Sequence, residues 1–193
     1  HNRAAEDGGG IYLIADPLLT CRGGSIRACS AGQDGGGVYA RFISGLHPRV
    51  LFDAAAIEDN EAGRDGGGIY WYAATPLTLS NSVVGYNMAG GNGGGIRKFG
   101  FSSTIELYRT ALVHNYTGND GGGAYLASGL LRLTDADLSY NLADNDTSSD
   151  GNGGGLAVQT VAAAAIIRAV ATNVMIRSNT AVHGGALYGD HGT

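Results

Sequence analysis

One short motif returns along the whole chain and limits what it can fold into. Asp7-Gly8-Gly9-Gly10-Ile11-Tyr12 recurs as Asp34-Gly35-Gly36-Gly37-Val38-Tyr39, as Asp65-Gly66-Gly67-Gly68-Ile69-Tyr70 and as Asp120-Gly121-Gly122-Gly123-Ala124-Tyr125. Asn replaces Asp at Asn92-Gly93-Gly94-Gly95-Ile96 and Asn152-Gly153-Gly154-Gly155-Leu156, and a worn copy stands at His183-Gly184-Gly185-Ala186-Leu187. Counted from Gly8 to Gly153, successive copies are 27, 31, 27, 28 and 32 residues apart. Self-similarity at that period marks a solenoid, in which each repeat buries its apolar face only against its neighbours.

A second pattern fills the space between the glycine turns. Leu77, Leu79, Val84 and Asn87 set a frame that returns at Ile105, Leu107, Leu112 and Asn115, and at Leu131, Leu133, Leu138 and Asn141. It is also present at Val50, Phe52, Ile57 and Asn60, at Ala169, Ala171, Ile176 and Asn179, and at Leu19, Cys21, Ile26 and Cys29. Apolar residues two apart line one face of a strand. The phase changes at a small residue (Ala55, Ser82, Thr110, Ala136), which indicates a bend between two strands. No unit carries a helical period long enough for a βαβ crossover. The expectation is an all-β fold, a parallel β-helix of about six and a half coils of roughly 29 residues with three short strands per coil, right-handed by the crossover rule. Rungs about 4.8 Å apart make a rod about 30 Å long. Residues 1–193 read as a single segment.

Composition narrows the function. Hydrophobic residues make up 44%, so a core is expected despite 34 glycines, most of which sit in the repeated turn. The net charge is −5 and no basic run is present, which argues against nucleic acid as a partner. No apolar run reaches the ~18 residues of a membrane span; Val161–Val170 is short and contains Arg168. Neither terminus resembles a cap, so the chain reads as part of a longer protein or as one link in a stack, with self-assembly or neighbouring domains as partners.

The turns have local reasons. Glycine allows positive φ and close stacking of backbones. The preceding Asp or Asn can accept hydrogen bonds from turn N–H groups. Asn60, Asn87, Asn115, Asn141 and Asn179 fall at an inward corner, where their amides can pair from coil to coil. An unpaired buried amide costs about 1–3 kcal/mol, so such a ladder tends to be complete or absent.

These two motifs resemble the polymorphic outer membrane protein repeats, the GGA-I and F-x-x-N units of bacterial autotransporter passengers. Gly66–Ile69 and Gly184–Leu187 match the first unit. Ile57-x-x-Asn60, Leu112-x-x-Asn115, Leu138-x-x-Asn141 and Ile176-x-x-Asn179 match the second. Nearly the whole chain is covered, with Gly where the family often has Ala and Ile, Leu or Val where it has Phe. The resemblance implies a secreted or surface-displayed stalk, adhesin or structural domain.

Several residues could carry more than structure. Asp7, Asp34, Asp65 and Asp120 form a column that could hold cations, although exposed like charges ~4.8 Å apart repel by only ~1 kcal/mol in water and need none. In the insertion before the sixth turn, Asp144, Asp146, Ser148 and Asp150 alternate as in the first half of a calcium loop, without its closing Glu; an ion-free polar insertion is the plainer reading. Apart from that calcium, no cofactor is expected. Tyr12, Tyr39, Tyr70 and Tyr125, with Trp71 beside Tyr70, could form a platform for glycans or a partner rod, or could simply stack. Tyr is placed outward, with the fourth coil's strand ending before Lys98. Cys21 and Cys29 could form a disulfide or serve as two buried thiols. Asn115-Tyr116-Thr117 and Asn145-Asp146-Thr147 are glycosylation sequons.

Enzymes on this fold cleave acidic polysaccharides with paired carboxylates. Val182-His183-Gly184 and Ile96-Arg97-Lys98 approach such signatures in composition only, and no carboxylate pair is forced by the sequence. A regular Thr array for ice binding is absent. The reading is a non-enzymatic extracellular structural β-helix, with a polysaccharide-binding or polysaccharide-cleaving protein as the alternative.

Overall fold

The computed structural model describes residues 1–14, 18–42, 50–144, 150–159 and 167–190. These form a parallel β-solenoid of about six turns with a period near 28 residues, and no helix is present among them. The first five coils carry four strands each rather than the expected three, and the sixth has a single bridge, Leu142 to Thr180, in the fourth place. In the third coil the four are Ile69–Ala73, Leu77–Ser80, Val83–Gly85 and Met88–Ala89. The additional strand follows the ladder Asn and is only two residues long, too short to leave an alternation signature. Stacking the coils yields one seven-stranded and three six-stranded sheets.

The register follows the sequence frame. Leu79 pairs with Phe52 and Leu107, Val84 with Ile57 and Leu112, and Ile69 with Val38 and Ile96. Keeping every apolar position over its counterpart keeps the whole set inside, because a one-residue slip would turn it out. Phe52, Ile57, Ile69, Leu79, Val84, Leu112 and Leu138 are all fully buried in one core.

Three left-handed residues turn each coil. The first Gly of every turn has φ between 62° and 70°. The residue before the small one (Ala54, Asn81, Arg109, Asp135, Asn173) has φ between 46° and 52°. The residue before the ladder Asn (Asp59, Tyr86, His114, Tyr140, Ser178), or before Cys29 in the first coil (Ala28), has φ between 52° and 58°. For a non-glycine residue that conformation costs about 1–2 kcal/mol, and the stacked backbone hydrogen bonds on either side hold it.

The other two glycines of the turn answer to neighbours, not to φ. A Cβ on Gly67 would strike the carbonyls of Met88 and Gly94 in the next coil. One on Gly68 would lie 2.6 Å from the Gly95 carbonyl and 2.9 Å from the Asn87 amide. The third glycine thus makes room for the next coil's asparagine, which ties the two sequence motifs together. In the worn copy this position is Ala186, and no described asparagine is stacked on it.

Candidate functional site

The asparagine ladder is complete from Asn60 to Asn179. Nδ2 of Asn60, Asn87, Asn115 and Asn141 donates to Oδ1 of the next Asn at 2.9–3.0 Å. The second Nδ2 proton reaches a backbone carbonyl, as from Asn115 to Val84 at 2.9 Å. Each Oδ1 also accepts the backbone N–H of the preceding Asn. The amides of Asn87, Asn115 and Asn141 are therefore saturated. Cys29 ends the ladder by donating its N–H to Asn60 Oδ1 at 3.0 Å. Asn115 and Thr117 are fully buried in this arrangement, which removes the first sequon from solvent. The second sequon, Asn145–Thr147, lies outside the described residues.

A second ladder runs along the glycine corner. Asp7 Oδ1 accepts the N–H of Asp34 at 3.1 Å, and the same bond links Asp34 to Asp65, Asp65 to Asn92, Asn92 to Asp120 and Asp120 to Asn152. The carboxylates cap the next coil rather than their own turn. Two are also paired with cations, Asp34 with Arg64 and Asp65 with Arg97. Burial pushes the Asp120 carboxyl up, partly offset by the Asn152 hydrogen bonds.

The tyrosine column faces outward but is not an open platform. Tyr12 and Tyr39 stack at 5.1 Å, and Tyr39 and Tyr70 at 5.3 Å. Arg97 takes the next rung, its guanidinium 5.8 Å from the Tyr70 ring and 5.4 Å from Tyr125. A planar cation can continue a stack of rings. Tyr39, Tyr70 and Tyr125 are only 5%, 9% and 3% exposed. Sugars bind free aromatic faces, and here the faces are taken by neighbouring rungs. Trp71 lies on the opposite side, fully buried in the core with Nε1 donating to the Thr75 carbonyl at 3.1 Å. The expected Tyr and Trp71 surface is thus corrected: among these residues only Tyr12 is substantially exposed.

Lys98 is the second correction. The strand Ile96–Lys98 does not stop short of it, and alternation carries the side chain inward, in register with Trp71 and Leu126. It is fully buried, and Nζ donates to the Phe101 carbonyl at 2.6 Å. Desolvation lowers its pKa to about 8.

Cys21 and Cys29 are both free thiols, so the disulfide is not formed. Burial raises the Cys21 thiol. Of the proposed calcium ligands, Asp146 lies outside the described residues. Asp144 takes a left-handed turn, φ 70°, after the strand Leu142–Ala143, and the backbone carbonyl of Asp150 accepts the Asn152 amide at 2.9 Å. Among the described residues no three His, Cys, Asp or Glu side chains converge as a metal site. An open depression in the last coils is lined by Asp135, Asp137, Asn173 and Met175. Its carboxylates are bound by the Asn173 amide and the Ser139 hydroxyl, and no Arg or Lys lines it.

The structure adds an aromatic ladder that lies outside the two sequence motifs. Tyr86, His114 and Tyr140 each precede a ladder Asn, and their rings stack at 4.8 Å with interplanar angles of 5° and 4°. Tyr86 and Tyr140 are 49% and 41% exposed. An aromatic residue immediately before the Asn in three successive coils was the available signal. No protein-family model, curated protein or solved structure matches the chain.

Proposed function

We propose that this chain is a non-enzymatic structural rod of a secreted or cell-surface protein, a stalk or filament unit rather than a catalyst. One observation carries the reading: the polar side chains of the repeat are spent on joining coil to coil. The amides of Asn60 to Asn179 bond one another, the Asp and Asn residues of the glycine corner cap the following coil, and Tyr12, Tyr39, Tyr70 and Arg97 stack along the axis. The resemblance to autotransporter passenger repeats supports placement outside the cell. The end coils leave Ile14 and Leu18 at one end, and Ile176 and Leu187 at the other, substantially exposed, and an unpaired strand edge is in general a template for a further strand.

Single-molecule pulling from the two termini tests this. A load-bearing rod releases coils in steps, each freeing about 100 Å of chain for ~28 residues. Featureless extension at low force would count against it. Release of new reducing ends or unsaturated products from acidic polysaccharides would overturn the non-enzymatic reading.

A further inference from the structure

The Tyr86–His114–Tyr140 ladder is not needed to form its corner. Ala28, Asp59 and Ser178 occupy the same left-handed position in other coils with φ of 54°, 56° and 52°. The three rings are therefore extra apolar surface on the side of the rod. Beside them runs a second row, Met88, Tyr116 and Leu142, held in register by strand pairing. Together the two rows make an apolar ridge three coils long.

The charges at its ends differ in sign. On the N-terminal side the coil places Asp59 and Glu61 in these same two rows, both exposed. Arg27, which pairs with Glu58, approaches Asp59 only at 3.9 Å. On the C-terminal side stands exposed Arg177, its guanidinium 5.5 Å from the Tyr140 ring. Along the axis the order is acidic, Tyr86, His114, Tyr140, basic.

That order is self-complementary under reversal. We propose that this ridge pairs with a second copy of the chain, side by side and antiparallel, about a two-fold axis at His114 and Tyr116. Reversal sets Tyr86 against Tyr140, Met88 against Leu142, and Asp59 and Glu61 against Arg177 of the second copy. A parallel pair would put Asp59 and Glu61 against themselves, so charge selects the antiparallel arrangement. Five rungs span only about 20 Å, which places the contact in the small, weak class of interfaces. The proposal concerns the side of the rod and is independent of what stacks on its ends.

Sedimentation equilibrium of the 193-residue chain up to about millimolar concentration tests it with two charge-reversed variants. Asp59→Arg with Glu61→Lys, and separately Arg177→Glu, each place like charges across both ends of the pair. Each variant alone should associate about ten-fold more weakly than the parent. Their equimolar mixture should restore the parent's association, because every reversed end then meets its opposite. All three side chains are exposed, so thermal melts of the variants should match the parent. A parent chain that stays monomeric, variants that associate as strongly as the parent, or a mixture that does not recover would each overturn the proposal. Association that persists in both variants would belong to the rod's ends and leave the structural reading intact.

Discussion

The ammonium of Lys98 donates to the backbone carbonyl of Phe101 at 2.6 Å from inside the β-helix, one rung from Trp71. The same carbonyl accepts the Ser128 hydroxyl at 3.2 Å. Nζ also donates to the Phe99 carbonyl and the Ser128 hydroxyl, both at 3.4 Å; its partners are all neutral, and burial lowers its pKa from 10.5 to about 8.

Folding stability should therefore depend on pH through this residue. The unfolded chain keeps the proton up to about pH 10.5 and the folded chain up to about 8. Between those values the unfolded state binds more protons, so stability rises with pH; below 8 this contribution is flat. The full span amounts to about 3 kcal/mol. Tyr70, pushed up to about 12, acts in the opposite sense above pH 10, so denaturant midpoints should be compared between pH 7.5 and 9.5. Lys98→Met should remove the rise in that window and stabilise the protein by roughly 2 kcal/mol at pH 7, since Phe101 retains the Ser128 bond.

Asn115→Ala should cost more than a typical core polar change. It unbonds the N–H and one Nδ2 proton of Asn87 and takes the Asn115 amide away from the Val84 carbonyl, all within a buried ladder. At ~1–3 kcal/mol per orphaned group the loss is about 3–6 kcal/mol. Asn179→Ala, at the half-buried end, should cost clearly less. Urea unfolding of the two variants gives the comparison.

Arg97→Tyr would continue the aromatic column but leave the buried carboxylate of Asp65 with only Arg64, whose Nε is 3.9 Å away, as a cation. It should destabilise by about 3 kcal/mol alone. Adding Asp65→Asn should recover most of the loss, because Asn already fills the equivalent place at Asn92, where its Oδ1 accepts the N–H of Asp120 as Asp65 Oδ1 accepts that of Asn92. A double-mutant cycle with no coupling would show that Arg97 serves the stack alone.

Gly68→Ala should destabilise by about 1–3 kcal/mol through overpacking, since its Cβ would press on the Gly95 carbonyl and the Asn87 amide. Ala186→Gly, with no described asparagine above it, should change the thermal midpoint little.

The period, the sheet register, the inward apolar rows and the asparagine ladder were all legible in the sequence. They depend on a repeat that stacks each residue on its own counterpart, so one coil's pattern states the next coil's neighbours. The fourth strand was not legible, because two residues carry no period. Trp71 stands two residues after inward Ile69, so alternation alone places it in the core, and Lys98 follows inward Ile96 in the same way although burying an amine is costly. In the folded chain the alternation of Ile96–Lys98 prevails, held by strand pairing on both sides. The burial of Tyr39, Tyr70 and Tyr125, and the exposure of Tyr86 and Tyr140, were decided only in three dimensions. Sequence spacing says which residues share a column. Whether a column's ring faces stay free or close on one another depends on the rung-to-rung distance and on the residue, such as Arg97, that fills the gap.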